Sequence, residues 1–232
     1  MSVSSIGVIS LYRTSIGKKV IMALTGVIGI GFVILHMYGN LKIFGGTEHF
    51  NAYSEGLREL GAPVFGHSHL LWLLRLILLA AVVLHVWAAW SLYQEKRKAR
   101  AHKYIKHTKI QATPAALYVR VGGVIIFIFV IFHLMQFTWG VPFIIPHFSQ
   151  TDVYRNVIVG FQSYAYLPAI FYLVAMAALG FHLYHGTMSL FQTLGLSSHL
   201  AKPLIVLSWC LAVVIAVGFA LVPLAVVFGF IS

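Results

Sequence analysis

Five stretches of this chain, about 20–41, 70–93, 117–139, 165–192 and 203–229, are each long and apolar enough to cross a bilayer. About 20 helical residues at roughly 1.5 Å each span the ~30 Å hydrocarbon layer. Lipid offers open backbone no hydrogen-bond partner, so each stretch is expected to be helical throughout. With 60% hydrophobic and 9% charged residues, a water-soluble packing would leave far too much apolar surface in solvent. The sequence therefore predicts an all-α membrane protein of five transmembrane helices forming one transmembrane domain over residues 1–232. Gly45-Gly46, Ala62-Pro63, Thr113-Pro114, Pro142 to Pro146 and Lys202-Pro203 punctuate the gaps. Pro168 falls at the start of the fourth span, where proline is tolerated.

Charge sets the expected topology. The gap between spans two and three carries Lys96, Arg97, Lys98, Arg100, Lys103, Lys106 and Lys109, whereas the first and third gaps carry Lys42, Arg58 and Arg155. Positive loops stay in the cytoplasm, so with Arg13, Lys18 and Lys19 before the first span the N-terminus is inside and the C-terminus outside. The formal net charge of +11 is read as this signal, with no nucleic-acid partner. The basic gap could also meet anionic lipid or a cytoplasmic partner. Cys210, the single cysteine, can form no internal disulfide and cannot alone hold an iron–sulfur cluster. Met1 to Ser15 lacks the pattern of a cleaved signal.

Four histidines repeat inside the apolar runs. Phe32-Val33-Ile34-Leu35-His36 and Phe129-Val130-Ile131-Phe132-His133 lie 97 residues apart, and so do His85 and His182. Such self-similarity indicates a duplicated two-helix unit, with the first four helices as one bundle. Counting from the basic edges puts His36 and His133 about 20–25 Å deep, in the outer half, and His85 and His182 about 15 Å deep, in the inner half. Two neutral imidazoles facing each other across a bundle can supply both axial positions of a haem iron. The expected pairs are His36 with His133 and His85 with His182. Zinc or non-haem iron would want three or four converging ligands, and no acidic residue or second cysteine lies at these depths.

His185, one turn beyond His182, is the alternative inner ligand, although the 97-residue offset favours His182. In the second case His185 would donate to a haem propionate or a quinone. Arg75 and Arg120, near span ends, need acceptors that propionates would provide, unless they snorkel to the interface. Gly26, Gly29, Gly31, Gly122, Gly123, Gly180 and Gly186 near the histidines would admit a cofactor or close helix packing. Trp72, Trp87, Trp90, Trp139 and Tyr118 sit where interfacial aromatic belts are expected.

Ser15-Ile16-Gly17-Lys18-Lys19, Met22-Ala23-Leu24-Thr25-Gly26 and His36-Met37-Tyr38-Gly39-Asn40-Leu41 resemble the opening of the cytochrome b membrane-anchor subunit of succinate:quinone oxidoreductases. His182-Leu183-Tyr184-His185-Gly186 through Ser189-Leu190-Phe191-Gln192-Thr193-Leu194-Gly195 resembles the fourth-helix motif of the same family, in its single-anchor, five-helix, two-haem class. The resemblance implies two haem b groups and a multi-pass location in the inner (cytoplasmic) membrane. It also implies a place in the respiratory chain and tricarboxylic acid cycle, as succinate dehydrogenase or fumarate reductase. A flavoprotein subunit holding FAD and an iron–sulfur subunit would dock on the cytoplasmic side and pass electrons through this subunit to a quinone, menaquinone in many two-haem members. This chain would itself carry no residue that acts on succinate. The fourth helix lacks the glutamate that serves a proton path in some fumarate reductases of this class.

For the quinone, the outer gap offers His49, Tyr53, Glu55, Arg58 and Glu59, and an inner pocket near His185 and Ser189 is the other candidate. Rival readings are a histidine-lined proton or metal transporter, a haem-free anchor, and the dihaem cytochrome b anchor of another respiratory dehydrogenase. The first calls for broken helices or acidic partners near the midplane, which the sequence lacks.

Overall fold

The computed structural model describes residues 12–99, 114–196 and 201–232, without the side chains of 114–118 and 201. Arg100, Lys103, Lys106, Lys109, Thr113, the side chain of Tyr118 and the start of the chain to Leu11 lie outside that description. Seven α-helices follow in order among the described residues: α1 Ser15–Leu41, α2 Thr47–Arg58, α3 His69–Lys98, α4 Pro114–Phe137, α5 Val153–Gln162, α6 Leu167–Thr193 and α7 Ala201–Val227. Five of them, α1, α3, α4, α6 and α7, are long and apolar enough to cross a membrane, which makes this a multi-pass membrane protein.

Local chemistry sets the boundaries. Thr14 caps α1 by accepting from the Gly17 N–H at 3.0 Å, and a 3₁₀ turn over Lys42–Gly45 ends that helix at Gly46, whose φ of 87° suits glycine. Lys202-Pro203, which the sequence places in a gap, lies in the first turn of α7 instead, where proline's missing N–H has no helical acceptor to lose.

The two gaps on the other side are not plain loops. They fold as α2 and α5, helices whose mixed polarity suits an interface rather than the interior of a bilayer. The Asn51 side chain joins them: its Nδ2 donates to Asp152 Oδ1 at 3.1 Å, and its Oδ1 accepts from the Tyr154 N–H at 3.0 Å. Asp152 also accepts from the Arg155 N–H at 3.1 Å as the N-cap of α5. Ile43, Phe50, Ile158 and Phe161 pack beneath this cap against Tyr172, Val222 and Val226. The opposite, basic end is tied by an ion pair between Lys18 on α1 and Glu95 on α3.

The Asn51 amide and, after it, the Arg155 N–H hold the Asp152 carboxylate below its ordinary range. Asp152→Ala is expected to lower stability by about 1 kcal/mol, or about 2–4 °C in melting temperature for a chain of this size. A depressed carboxylate contributes fully above its unfolded pKa and ceases to contribute as pH falls through the lower, folded one. Thermal scans in detergent between about pH 6 and about pH 3 should therefore show a shallower acid loss in the alanine variant. Parallel acid profiles would count against the cap.

The long helices pack as pairs. α1 lies along α3, and α4 lies along α6, while α7 runs along α6 and also meets α1. Between the two pairs, α1 touches α6, but α1 against α4 and α3 against α4 or α6 make no extended contact among the described residues. The helix backbones of the two repeats are therefore set apart, except where α1 meets α6, by a cleft that side chains bridge.

Candidate cofactor site between the helix pairs

The four repeating histidines line that cleft. His36 on α1 faces His133 on α4 with ring centres 5.7 Å apart and planes at 84°, and His85 on α3 faces His182 on α6 at 6.1 Å and 62°. Two imidazole nitrogens each about 2 Å from a shared metal place their ring centres about 6 Å apart. Both pairings expected from the sequence are thus brought together, each across the two repeats. All four side chains are half-buried, as rings lining an interior cleft should be.

The repeat extends to the surroundings of each ring. A Cβ on Gly26 would lie 3.8 Å from His85 Cε1, and a Cβ on Gly123, 97 residues later, would lie 3.8 Å from His182 Cε1. The carbonyl of Met22 lies beside the His85 ring and that of Val119, again 97 residues on, beside the His182 ring. At the capped end Phe32 stacks on His36 with centres 5.1 Å apart, and Phe129 stands 5.8 Å from His133. Gly26 and Gly123, which precede His36 and His133 in the sequence, lie against the rings of the other pair, one helix over. The signal that finds them is the shared 97-residue offset of Gly26 and Gly123.

Hydrogen bonding decides which ring nitrogen is presented. Thr25 Oγ1 donates to the Ile21 carbonyl at 2.7 Å, so toward His85 Nδ1, 3.1 Å away, it acts as acceptor. His85 then carries its proton on Nδ1 and keeps the Nε2 lone pair for a ligand. His133 Nδ1 is likewise engaged, with Tyr172 Oη at 2.9 Å. His182 differs: its Nδ1 is buried with no hydrogen-bond partner, because the position equivalent to Thr25 is Gly122 and the Val119 carbonyl does not close a bond. Thr25 and Tyr172 are neighbours of the histidine rings that the 97-residue repeat does not single out, since neither recurs in it.

A porphyrin iron suits these residues. Opposed imidazoles whose ring centres stand at about the separation of two rings sharing a metal, glycines where the rings need clearance, and nothing within 4 Å of a Cβ on Gly29 or Gly31 meet its needs. Along α1 and along α4, ten residues separate the levels of the two pairs, about 15 Å of helix rise.

The remaining candidates lie apart from the pairs. Arg75, on α3 near the capped end, sits 5.0 Å over the Trp72 ring, and Arg120 sits 5.2 Å over the Tyr93 ring at the basic end. His185 is half-buried one turn beyond His182, and Ser189 follows one turn later toward the basic end. Glu55 and Arg58 form an exposed ion pair in which Arg58 also donates to the Gln150 carbonyl at 3.1 Å. His67 Nε2 lies 3.2 Å from Glu55 and 3.6 Å from Glu59. Arg58, and after it His67, hold the Glu55 carboxylate below its ordinary range. Tyr53 lies against the backbone of Gly39, and His49 against that of Gly45.

No family model, curated protein or solved structure matches the chain.

Proposed function

We propose that this chain is the membrane-anchoring dihaem cytochrome b subunit of a succinate:quinone oxidoreductase. The observation that carries the reading is the pairing of four histidines, at matched repeat positions, across a cleft between two helix pairs. His36 with His133 and His85 with His182 would each hold one haem b. Bound haem would supply a one-electron carrier, and two histidines holding each iron would leave it no position for substrate.

The chain's own residues hold and insulate the carriers. Thr25 and Tyr172 orient His85 and His133 through Nδ1 and raise their basicity as ligands. Phe32, Phe129 and the cap core keep water from the level of His36 and His133. With the basic end in the cytoplasm, the His85–His182 level is the inner one. There the iron–sulfur subunit would deliver electrons taken from succinate by the flavoprotein, or receive them for fumarate reduction. An electron moved between the levels crosses about half of the hydrocarbon, so 100 mV changes its energy by about 1 kcal/mol. The quinone, of the menaquinone class, would dock beside one of the two levels, at the cap near Glu55 and Arg58 or at the inner end near His185 and Ser189. Arg75 and His185 are the proposed partners of haem propionates, whereas Arg120, which stands with Arg97 over the Tyr93 ring, is left to another anion.

The test is purification with full porphyrin supply, a pyridine haemochrome assay and reduced-minus-oxidised spectra. Two b haems per chain, reducible by succinate in the complex with its flavoprotein and iron–sulfur subunits, are expected. A colourless preparation would sink the proposal. Two haems reduced by formate or hydrogen but not succinate would move the chain to another respiratory dehydrogenase.

A further inference from the structure

At the basic end, Tyr93, Lys96 and Arg97 from the end of α3 and Arg120 from early α4 line an open hollow of about 380 Å³. The Arg97 and Arg120 guanidinium carbons lie 5.9 and 5.2 Å from the centre of one ring, that of Tyr93. Two like charges from different helices are thereby gathered on a single aromatic side chain, with Lys96 beside them. Such an arrangement calls for an anion.

The chain does not contain one for this place. Of its five carboxylates, Glu48, Glu55, Glu59 and Asp152 belong to the capped end, and Glu95 is engaged by Lys18. Residues 100–113, which follow α3, add four cations and no acid. The counter-anion must therefore come from outside the chain. The hollow also opens at the ends of two helices that are apolar toward their surroundings: Trp90, Val121 and Val124 beside it are 60%, 59% and 59% exposed. An anion carrying hydrocarbon tails satisfies both surfaces at once, whereas inorganic phosphate would leave the apolar walls uncovered.

We infer that this hollow is a site for one anionic phospholipid, whose phosphate is held by Arg97, Arg120 and Lys96 while its acyl chains lie along α3 and α4. The chemistry, phosphate oxygens against two guanidinium groups and an ammonium, is shared with free phosphate, and carboxylate oxygens offer a cruder match. The inference stands whether or not the histidine pairs carry haem.

The test uses the whole chain purified in detergent, washed, and examined by native mass spectrometry and lipid phosphorus assay after incubation in nanodiscs of phosphatidylglycerol or phosphatidylcholine. One phosphatidylglycerol is expected to stay with the protein, and phosphatidylcholine to wash off. The combined variant Lys96→Gln, Arg97→Gln, Arg120→Gln should bind phosphatidylglycerol about a hundredfold more weakly. Lys98→Gln, on the same helix end but off the hollow, should retain the wild-type amount, which shows that a general loss of charge is not the cause. Equal retention by the triple variant would overturn the site. Displacement of the lipid by millimolar inorganic phosphate would overturn the lipid in favour of a free anion. A drop in bound porphyrin with unchanged lipid would assign the cations to a porphyrin carboxylate instead.

Discussion

His182→Ala is expected to remove one of two haems per chain and spare the other, while His185→Ala keeps both. The two residues are a single turn apart on α6, so proximity to the cleft does not separate them. Their surroundings do. The His182 ring stands 6.1 Å from that of His85 and against Gly123, and each of these relations recurs 97 residues earlier or later in the chain. The position that matches His185 in the first repeat is Ala88, fully buried between helices, so the duplication supplies His185 no counterpart. An iron that His85 and His182 would hold together loses one of its two protein bonds in His182→Ala, and pyridine haemochrome should read one haem in place of two. The His36–His133 site serves as the internal control that the bundle has folded. The reverse result, loss with His185→Ala and retention with His182→Ala, would reassign the inner ligand and break the two-fold reading.

The long helices and the histidine pairing were legible because both are written in one-dimensional periods. Lipid-length apolar runs demand helices whatever their neighbours, and the offset of 97 carries over directly into which side chains face each other across the cleft. The short helices α2 and α5 were not legible. Thr47–Arg58 and Val153–Gln162 are held by the Asn51 side chain reaching across about a hundred residues to Asp152 and Tyr154, a contact no local pattern announces. The neighbours of the histidines divide in the same way. Gly26 and Gly123 share the offset, although they serve rings on the adjacent helix, since residues ten apart on one helix sit at different depths. Thr25 faces Gly122 in the alignment of repeats and Tyr172 faces Arg75, so the duplication hides both. The two halves share their paired histidines and differ in what those rings touch.

That divergence makes Tyr172→Phe the informative change at the other site. His133 Nδ1 lies 2.9 Å from Tyr172 Oη, and with Nε2 turned to a metal the proton stays on Nδ1 and is donated to the phenol oxygen. Phenylalanine fills nearly the same volume within Phe129, Phe137 and Phe161, which pack around the ring, so the fold should hold. The imidazole loses its acceptor and some basicity, which weakens metal affinity by about 10–100-fold and raises the midpoint potential of that site, the oxidised iron being the form that a basic ligand favours. His133→Ala, by contrast, should empty the site outright. Redox titration of the two haems separates the cases: one midpoint moves upward in Tyr172→Phe while the His85–His182 midpoint stays, and one component vanishes in His133→Ala. An unshifted titration with full haem in Tyr172→Phe would mean that the phenol only packs, and that His133 is oriented by its aromatic neighbours alone.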